Sequence, residues 1–163
     1  RIEEIRNEIE ALQYLVEYEE GYNYVLNGEP HKGLDLLLPL AEKRSGWWNL
    51  LFFIGLAYRT MGEYKIAEKY FENVIKIKSD QVDALNELGL CKICLAKYKE
   101  AIDIFTIGLN INPNNNEIMC NRAVAYIYIN DLEKATRDVN KALEINSNDE
   151  IAISIKQEID RIK

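Results

Sequence analysis

The chain has 163 residues, 48% hydrophobic and 29% charged, a balance typical of one globular domain rather than of a disordered chain. Its formal net charge of -7 argues against nucleic acid as a general partner, because phosphate binding requires a basic face. The longest apolar run, from Trp47 to Tyr58, is shorter than the roughly 20 residues of a membrane-spanning helix and contains Asn49. No signal peptide is visible. We therefore expect a cytoplasmic protein without a membrane partner and, because the chain opens on Arg1, a piece of a longer protein.

Residues 1–13 form the first predicted element, an amphipathic helix. Its apolar side chains, Ile2, Ile5, Ile9 and Leu12, fall on one stripe with charges elsewhere. No helix breaker follows, so this stretch either runs on through residues 14–27 as one long helix or docks as a separate helix. It is then either a cap or connector, or a segment that folds back into a groove or pairs with a second chain.

From residue 14 onward, small residues recur at the spacing of 34 that belongs to one helical repeat family. One set is Gly21, Gly55, Gly89 and Ala123, and the other is Gly33, Ala67, Ala101 and Ala135. The spacing divides the chain into copies at 14–47, 48–81, 82–115 and 116–149. Residues 150–163 lack these positions but carry Ile151, Ile155, Ile159 and Ile162 on one stripe, which predicts a closing helix with a polar outer face.

The pattern resembles the tetratricopeptide repeat, whose signature is W-x2-L-G-x2-Y, then A-x3-F, then P. The matching residues are Leu88, Gly89, Ala101, Phe105 and Pro113 in the third copy, and Gly55, Tyr58, Ala67 and Phe71 in the second. The first copy has Glu17 and Glu20 where apolar residues are usual, and the fourth has Arg122 at the usual leucine position. The resemblance implies an all-α fold, a right-handed α-solenoid of four helix pairs, with an N-terminal helical extension (1–13) and a capping helix (150–163).

Packing and turn chemistry are consistent with helix pairs. Helix axes lie about 8 to 10 Å apart only where the contact residues permit it, so Gly21, Gly55 and Gly89 suit a close crossing within each pair. Gly28 and Gly62 lie in turns, where a positive φ is easily adopted by glycine. Three serines, Ser45, Ser79 and Ser147, sit at the equivalents of Pro113, where serine can cap the next helix.

The other face of the first helices is the candidate binding surface, because stacked repeats align such positions along one concave groove. The residues expected to form the peptide-binding groove are Tyr18, Tyr22, Asn49, Phe52, Phe53, Leu56, Arg59, Asn86, Leu90, Ile93, Asn121, Val124 and Tyr128. The groove is therefore aromatic at its N-terminal end and aliphatic further on, with scattered amides.

The resemblance implies a scaffold or adaptor that binds another polypeptide. In the best-known ligand mode of the family, lysine, asparagine and arginine side chains grip the C-terminal carboxylate of chaperones. Here the matching positions hold Tyr18, Tyr22, Phe53, Asp83 and Glu87, so the basic clamp is missing. We expect a peptide or helix with apolar anchors instead, with a basic residue near the two carboxylates. Self-association as a homodimer, or ligand sensing within a longer protein, are the alternatives.

Catalytic chemistry is not indicated. Cys91 and Cys94 form a C-x-x-C, but it lies mid-helix rather than at a helix N-terminus, and zinc would need more ligands. Cys91 takes the small-residue position of Ala57 and Ala125, so we expect it to pack. His31 lies in a turn, where we expect it to be solvated, and no carboxylate is paired with a nucleophile or histidine in a recognisable arrangement. The sequence predicts no enzyme activity, cofactor or metal.

Overall fold

The computed structural model describes residues 1–44 and 46–162, and within these ranges the chain forms helices and turns without strands. The helices are α1 (Ile2–Leu26), α2 (Pro30–Lys43), α3 (Trp48–Thr60), α4 (Tyr64–Ile77), α5 (Val82–Cys94), α6 (Tyr98–Ile111), α7 (Asn116–Tyr128), α8 (Leu132–Ile145) and α9 (Glu150–Ile162). The expected all-α class is confirmed.

The helices form two compact units, unit 1 from Arg1–Ser79 and unit 2 from Asp80–Lys163. In unit 1, α1 packs on α2, α2 on α3, and α3 on α4. In unit 2, consecutive helices from α5 to α9 pack on one another in the same way, and α9 also contacts α7. Consecutive antiparallel helices joined by short turns are the helical counterpart of a hairpin.

The N-terminal stretch is part of one continuous helix of 25 residues, which settles the first alternative in favour of the long helix. The buried residues of α1 are Tyr14, at its middle, and Gly21 and Val25 in its C-terminal half. Residues 1–13 are exposed along their whole length. This segment therefore continues α1 beyond the part that α2 covers and does not fold back onto unit 1.

The crossings within the helix pairs depend on missing side chains. A Cβ placed on Gly89 would lie 2.3 Å from Cε1 of Phe105, and one on Gly21 would lie 2.7 Å from Cδ2 of Leu37. A Cβ on Gly55 would meet the Phe71 ring at 3.0 to 3.2 Å. The predicted close crossing is confirmed at all three glycines, since each lies against a fully buried side chain of the second helix.

The turns within the helix pairs share one backbone conformation. Gly28 and Gly62 have φ of +79° and +81°, as predicted, and the two equivalent residues, Ala96 and Asn130, also have positive φ, at 57° and 61°. The residue after each donates its N–H to a carbonyl five residues earlier, as Lys97 does to Lys92 at 2.8 Å. This Schellman-type ending requires a left-handed residue whatever its side chain.

The serine caps are wrong. The N-cap of α5 is Gln81 and that of α7 is Asn115, and the Asp149 carboxylate accepts the N–H of Ala152 at 3.1 Å before α9. Ser79 and Ser147 lie three residues before the first residues of α5 and α9, too far back for their hydroxyls to reach the first free N–H groups. Ser45 lies outside the described residues.

The apolar stripe predicted for the closing helix, α9, is only partly confirmed. Ile159 is buried, Ile155 packs against the core of unit 2, and Ala152 is also buried there. Ile151 is 64% exposed and Ile162 is 46% exposed, so the packed face is centred one residue away from the predicted stripe. Lys163, the last residue of the predicted capping helix, lies outside the described residues.

Candidate functional site

In unit 1 the aromatic residues of the predicted groove, Tyr18, Tyr22, Phe52 and Phe53, touch one another. With Tyr14 and Trp47, which were not among the predicted groove residues, they form a set of contacting rings, here called the aromatic cluster. The Tyr22 ring stacks on Phe53 with centroids 5.0 Å apart. Tyr18 meets Phe53 edge-on at 6.1 Å and Trp47 at 5.7 Å. Aromatic pairs at such distances stabilise one another beyond the area that they bury, so α1 and α3 hold these rings as one surface.

The rings differ in how far they face solvent. Tyr14 is buried, and its hydroxyl donates to the carbonyl of Leu40 at 3.5 Å. Phe52 lies edge-on to the buried ring of Phe71, at 5.7 Å between centroids, and so takes part in packing α3 on α4. Tyr18, Tyr22 and Phe53 are half-buried. Phe52 and Trp47 are half-buried as well, so every ring of the cluster except Tyr14 keeps part of its surface accessible.

The electrostatics of the aromatic cluster keep it neutral. Burial, together with the neighbouring Tyr22 hydroxyl, raises the pKa of Tyr18 to about 12, while a hydrogen bond with Asn49 acts in the opposite direction. The guanidinium of Arg44 lies 4.7 Å from the Tyr14 ring centroid and 5.8 Å from that of Trp47. The Arg44 cation therefore lies over two ring faces of the cluster, and Tyr14 and Tyr18, whose pKa values are raised, remain protonated at neutral pH.

The other predicted residues of unit 1 are also half-buried. Leu56 packs against the core of the unit, and Asn49 accepts the N–H of Leu50 at 3.1 Å. Arg59 lies in the last turn of α3. Trp47, which precedes α3, is half-buried and packs edge-on against Tyr14 and Tyr18.

In unit 2 the predicted amides form a hydrogen-bonded chain. The Asn121 amide nitrogen donates to Oδ1 of Asn86 at 2.9 Å, and the Asn86 amide nitrogen donates to Oε1 of Glu117 at 2.9 Å. Asn86 is buried, while Glu117 and the nearby Asp83 are exposed. The chain links α5 to α7 and ends on a carboxylate, so this part of unit 2 presents hydrogen-bond acceptors and negative charge.

The aliphatic residues of unit 2, Leu90, Ile93 and Val124, are half-buried, and Ile93 packs against the core. Tyr128 is 58% exposed and stacks on Tyr98 with centroids 4.4 Å apart and planes within 4°. Sequence reasoning missed Tyr98, because it lies on α6 and not on the helices that carry the predicted groove positions. A stacking partner on another helix leaves no signal in the spacing.

Two cations of unit 2 are held by carboxylates. The buried Lys92, which replaces the family's tyrosine, bonds to Glu100 at 2.8 Å. Arg122, at the usual leucine position, makes two 2.7 Å bonds to Asp138 and one of 3.0 Å to the Thr106 hydroxyl. The bond to Asp138 is the main reason that the pKa of Arg122 is raised. Both charges therefore serve packing within unit 2.

The thiols do not form a reactive centre. Cys91 is buried in accordance with the predicted packing role, Cys120 is buried, and Cys94 is exposed. Burial, followed by nearby carboxylates including Asp149, raises the pKa of the Cys120 thiol to about 11, so it stays protonated at neutral pH. In the described ranges 1–44 and 46–162, no group of three His, Cys, Asp or Glu side chains is placed to hold a metal ion.

Within the part of the chain that the structure describes, no helix is both long enough and apolar enough to span a bilayer. The longest, α1, carries Glu3, Glu4 and further charges along its length.

Antiparallel helices in tandem, with small residues at each crossing and a left-handed residue in each turn, define a helical repeat protein. Residues 49–81 and 117–149 match the sequence profile of the tetratricopeptide repeat. The expected resemblance is confirmed, and these two segments are tetratricopeptide repeats within an all-α repeat fold.

Both sequence relatives and solved structures resemble this chain. The BBSome complex member BBS4 of Bos taurus is 25% identical over 99 residues, which is 61% of this chain and 19% of that protein, so the chain spans about a fifth of that relative's length. Among solved structures, the tetratricopeptide repeat protein YrrB superposes with a TM-score of 0.82 over 92% of this chain and 77% of that one, at 20% identity. The first tetratricopeptide repeat domain of Spaghetti, bound to the HSP90 peptide SRMEEVD, superposes with a TM-score of 0.68. The superposition covers 71% of this chain and 91% of that one, at 18% identity.

Proposed function

We propose that this chain is a protein-interaction module that holds an apolar side chain of a partner polypeptide on the aromatic cluster of unit 1. The observation that carries the proposal is the contact among Tyr18, Tyr22 and Phe53, whose rings are half-buried and face-to-edge or stacked on two rigid helices. Rings held in this way lose little conformational entropy when a ligand binds. Aromatic side chains are also the residues that most often dominate binding energy at interfaces.

The charge of the chain favours a partner segment with basic residues. The formal net charge is -7, Asp83 and Glu117 are exposed on unit 2, and Lys92 and Arg122 are engaged by their own carboxylates. A lysine or arginine in the partner would be attracted by this excess of negative charge, and the apolar anchor of the partner would contact unit 1. The expected ligand is a peptide or helix that combines both kinds of side chain.

Acidic chaperone tails do not fit this chemistry. The peptide bound to the related Spaghetti domain, SRMEEVD, carries three carboxylate side chains and ends on an aspartate. Asp83 is exposed near the start of α5, on a chain with excess negative charge, and would repel such a ligand. We expect this chain to discriminate against peptides of that kind.

The expected affinity is modest. Full burial of an aromatic or leucine anchor contributes roughly 1.5 to 3 kcal/mol, whereas association costs about 4 to 15 kcal/mol in lost freedom and ordering. Three or four anchors together contribute roughly 5 to 12 kcal/mol, so binding reaches about the micromolar level only where the cost of association is near its lower limit. Loss of one ring from the cluster is expected to weaken binding about tenfold or more, which is about 1.4 kcal/mol.

A peptide selection tests the proposal directly. A random peptide library displayed on phage is selected against the immobilised chain, and the selected peptides are synthesised and titrated by calorimetry. We expect enrichment of aromatic or aliphatic residues near a lysine or arginine. Tyr22→Ala should weaken these peptides about tenfold, because it removes the ring that stacks on Phe53.

The matched control is Tyr24→Ala, a change of the same size on the same helix. Tyr24 is half-buried under the ammonium of Lys32, 5.3 Å from its ring centroid, rather than against Phe53. It should leave the affinity unchanged. Selected peptides that bind Tyr22→Ala as tightly as the natural chain would place the ligand elsewhere, while loss of the helical spectrum in Tyr22→Ala would assign the ring to the core.

A further inference from the structure

The N-terminal half of α1 carries an exposed apolar stripe, composed of Ile2, Ile5, Ile9, Leu12 and Val16. These side chains are 79%, 51%, 51%, 62% and 63% exposed, so the described residues of unit 1 leave them open to solvent. Their spacing alternates three and four residues, which places them on one side of the helix. That side is opposite to the one that α2 covers, where Tyr14, Gly21 and Val25 are buried.

The same side of α1 is polar in its C-terminal half. Glu20 and Asn23 are exposed there, whereas the equivalent residues of α3, Ile54 and Ala57, are fully buried in the core of unit 1. A helix pair stacked before α1 in the manner of α2 on α3 would have to bury Glu20 and Asn23. Because burial of unpaired polar groups is costly, the apolar stripe is suited to an occupant that contacts only about the first 16 residues.

We propose that the apolar stripe pairs with the apolar stripe of a second copy of this chain, as an antiparallel two-helix coiled coil. Alternating spacings of three and four are the a and d positions of a heptad, with Ile2, Ile9 and Val16 at a and Ile5 and Leu12 at d. An interface in which both copies use the same patch closes on itself as a dimer. In antiparallel pairing a faces d, so Ile9 lies opposite Leu12 of the second copy and Ile5 opposite its Val16.

Charge decides the orientation. In a parallel pair the flanking positions g and e would place Arg1 beside Arg6 of the second copy, and the next d position would place Glu19 against Glu19. Like charges in such positions are unfavourable. In the antiparallel register the flanking neighbours are Arg6 with Gln13, and Glu8 with Leu15, so no like charges meet. The antiparallel register pairs Ile5, Ile9, Leu12 and Val16 with one another and places Ile2 opposite Glu19 of the second copy, at the end of the interface.

Sedimentation velocity of the 163-residue chain tests association, over concentrations from about 1 to about 100 µM, the weak range for specific pairing. The average mass should rise from one copy toward two. Leu12→Glu should raise the dissociation constant at least tenfold by placing a charge in the stripe. The matched control, Asn7→Glu, adds the same charge to an exposed residue on the opposite side of the same segment and should behave like the natural chain.

Disulfide trapping tests the orientation. In a Cys94→Ser background, which removes the exposed natural thiol, Ile9→Cys and Leu12→Cys variants are oxidised separately and as a mixture. Antiparallel pairing should give the mixed disulfide faster than either variant gives its own. A monomeric mass at every concentration, a mass unaffected by Leu12→Glu, or faster disulfides within the single variants would each overturn the proposal. Peptide binding at the aromatic cluster would be unaffected by these outcomes, because Tyr18 and Tyr22 lie on another side of α1.

Discussion

Units 1 and 2 place different chemistry at equivalent repeat positions. Phe53 and Ile54 of α3 correspond to Asn121 and Arg122 of α7, since the two pairs are separated by two repeats. In unit 1 these residues contribute a ring contact with Tyr22 and a fully buried side chain. In unit 2 they contribute an amide hydrogen bond and an ion pair. A small set of crossing and turn residues therefore maintains the helix pairs, while the chemistry at neighbouring positions differs between repeats.

The ring contacts of unit 1 and the ion pair of unit 2 differ in how much each depends on a single partner residue. Ring contacts in unit 1 are shared among several partners, so the loss of one leaves the others in place. A charge such as Arg122, only 19% exposed along its side chain, depends on one carboxylate, Asp138. Removing the partner of a buried charge costs more than removing the pair. Unit 2 should therefore be the more sensitive of the two to single polar changes.

Asp138→Ala is the change expected to destabilise the chain most, by about 3 kcal/mol in the free energy of unfolding measured with urea. It leaves the Arg122 guanidinium without the two 2.7 Å bonds that hold it inside unit 2. The equivalent change in unit 1, Tyr70→Phe, keeps the stack of this ring on Tyr58, with centroids 5.7 Å apart, and should cost little.

The double variant Arg122→Leu with Asp138→Ala serves as the control for the charge argument. It restores the leucine usual at this repeat position and removes both charges together, which is often neutral. It should be clearly more stable than Asp138→Ala alone. Equal stability of the single and double variants would mean that the lost free energy of unfolding comes from packing around position 138. It would then not come from an unpaired Arg122 guanidinium.

A second comparison uses the same substitution in both units. Gly89→Ala should destabilise by about 2 kcal/mol, because its Cβ would lie 2.3 to 2.8 Å from the fully buried ring of Phe105. Gly55→Ala should change stability by less than about 1 kcal/mol, since its Cβ would meet Phe71 at 3.0 to 3.2 Å and alanine favours the helix. Urea unfolding of the two variants measures the difference.

The fourth copy shows how a larger residue is accommodated. Ala123 takes the glycine position there and Val139, at the phenylalanine position, is smaller than Phe105, and both are fully buried. The size of the opposing side chain, rather than the helix crossing itself, then decides whether alanine is tolerated. Equal losses in Gly89→Ala and Gly55→Ala would contradict this dependence on local distance.

The sequence predicted those parts of the fold that require one particular residue type at one position. Gly55 and Gly62 revealed a crossing and a turn because few other residues fit those backbones. The stack of Tyr128 on Tyr98 and the ion pair of Arg122 with Asp138 join residues on different helices. The spacing of residues within one repeat therefore did not predict these contacts. The ring positions of the candidate site followed from helical periodicity. Their mutual contacts required the packing of α1 on α3.

Ala96 is a turn residue that the sequence analysis did not predict, because it is not a glycine. Its substitution gives the smallest predicted effect on stability. Its φ of 57° disfavours a side chain with a Cβ, so Ala96→Gly should stabilise the chain by about 1 kcal/mol, or about 2 to 4 °C in melting temperature. Gly62→Ala in unit 1 should lose about the same amount, because a Cβ there would touch nothing and only its φ of +81° opposes it. Opposite signs of similar size would show that the two turns impose one backbone requirement. A loss of stability in Ala96→Gly would instead show that the methyl group of Ala96 contributes packing that outweighs its conformational strain, and the turns of the two units would then differ in kind.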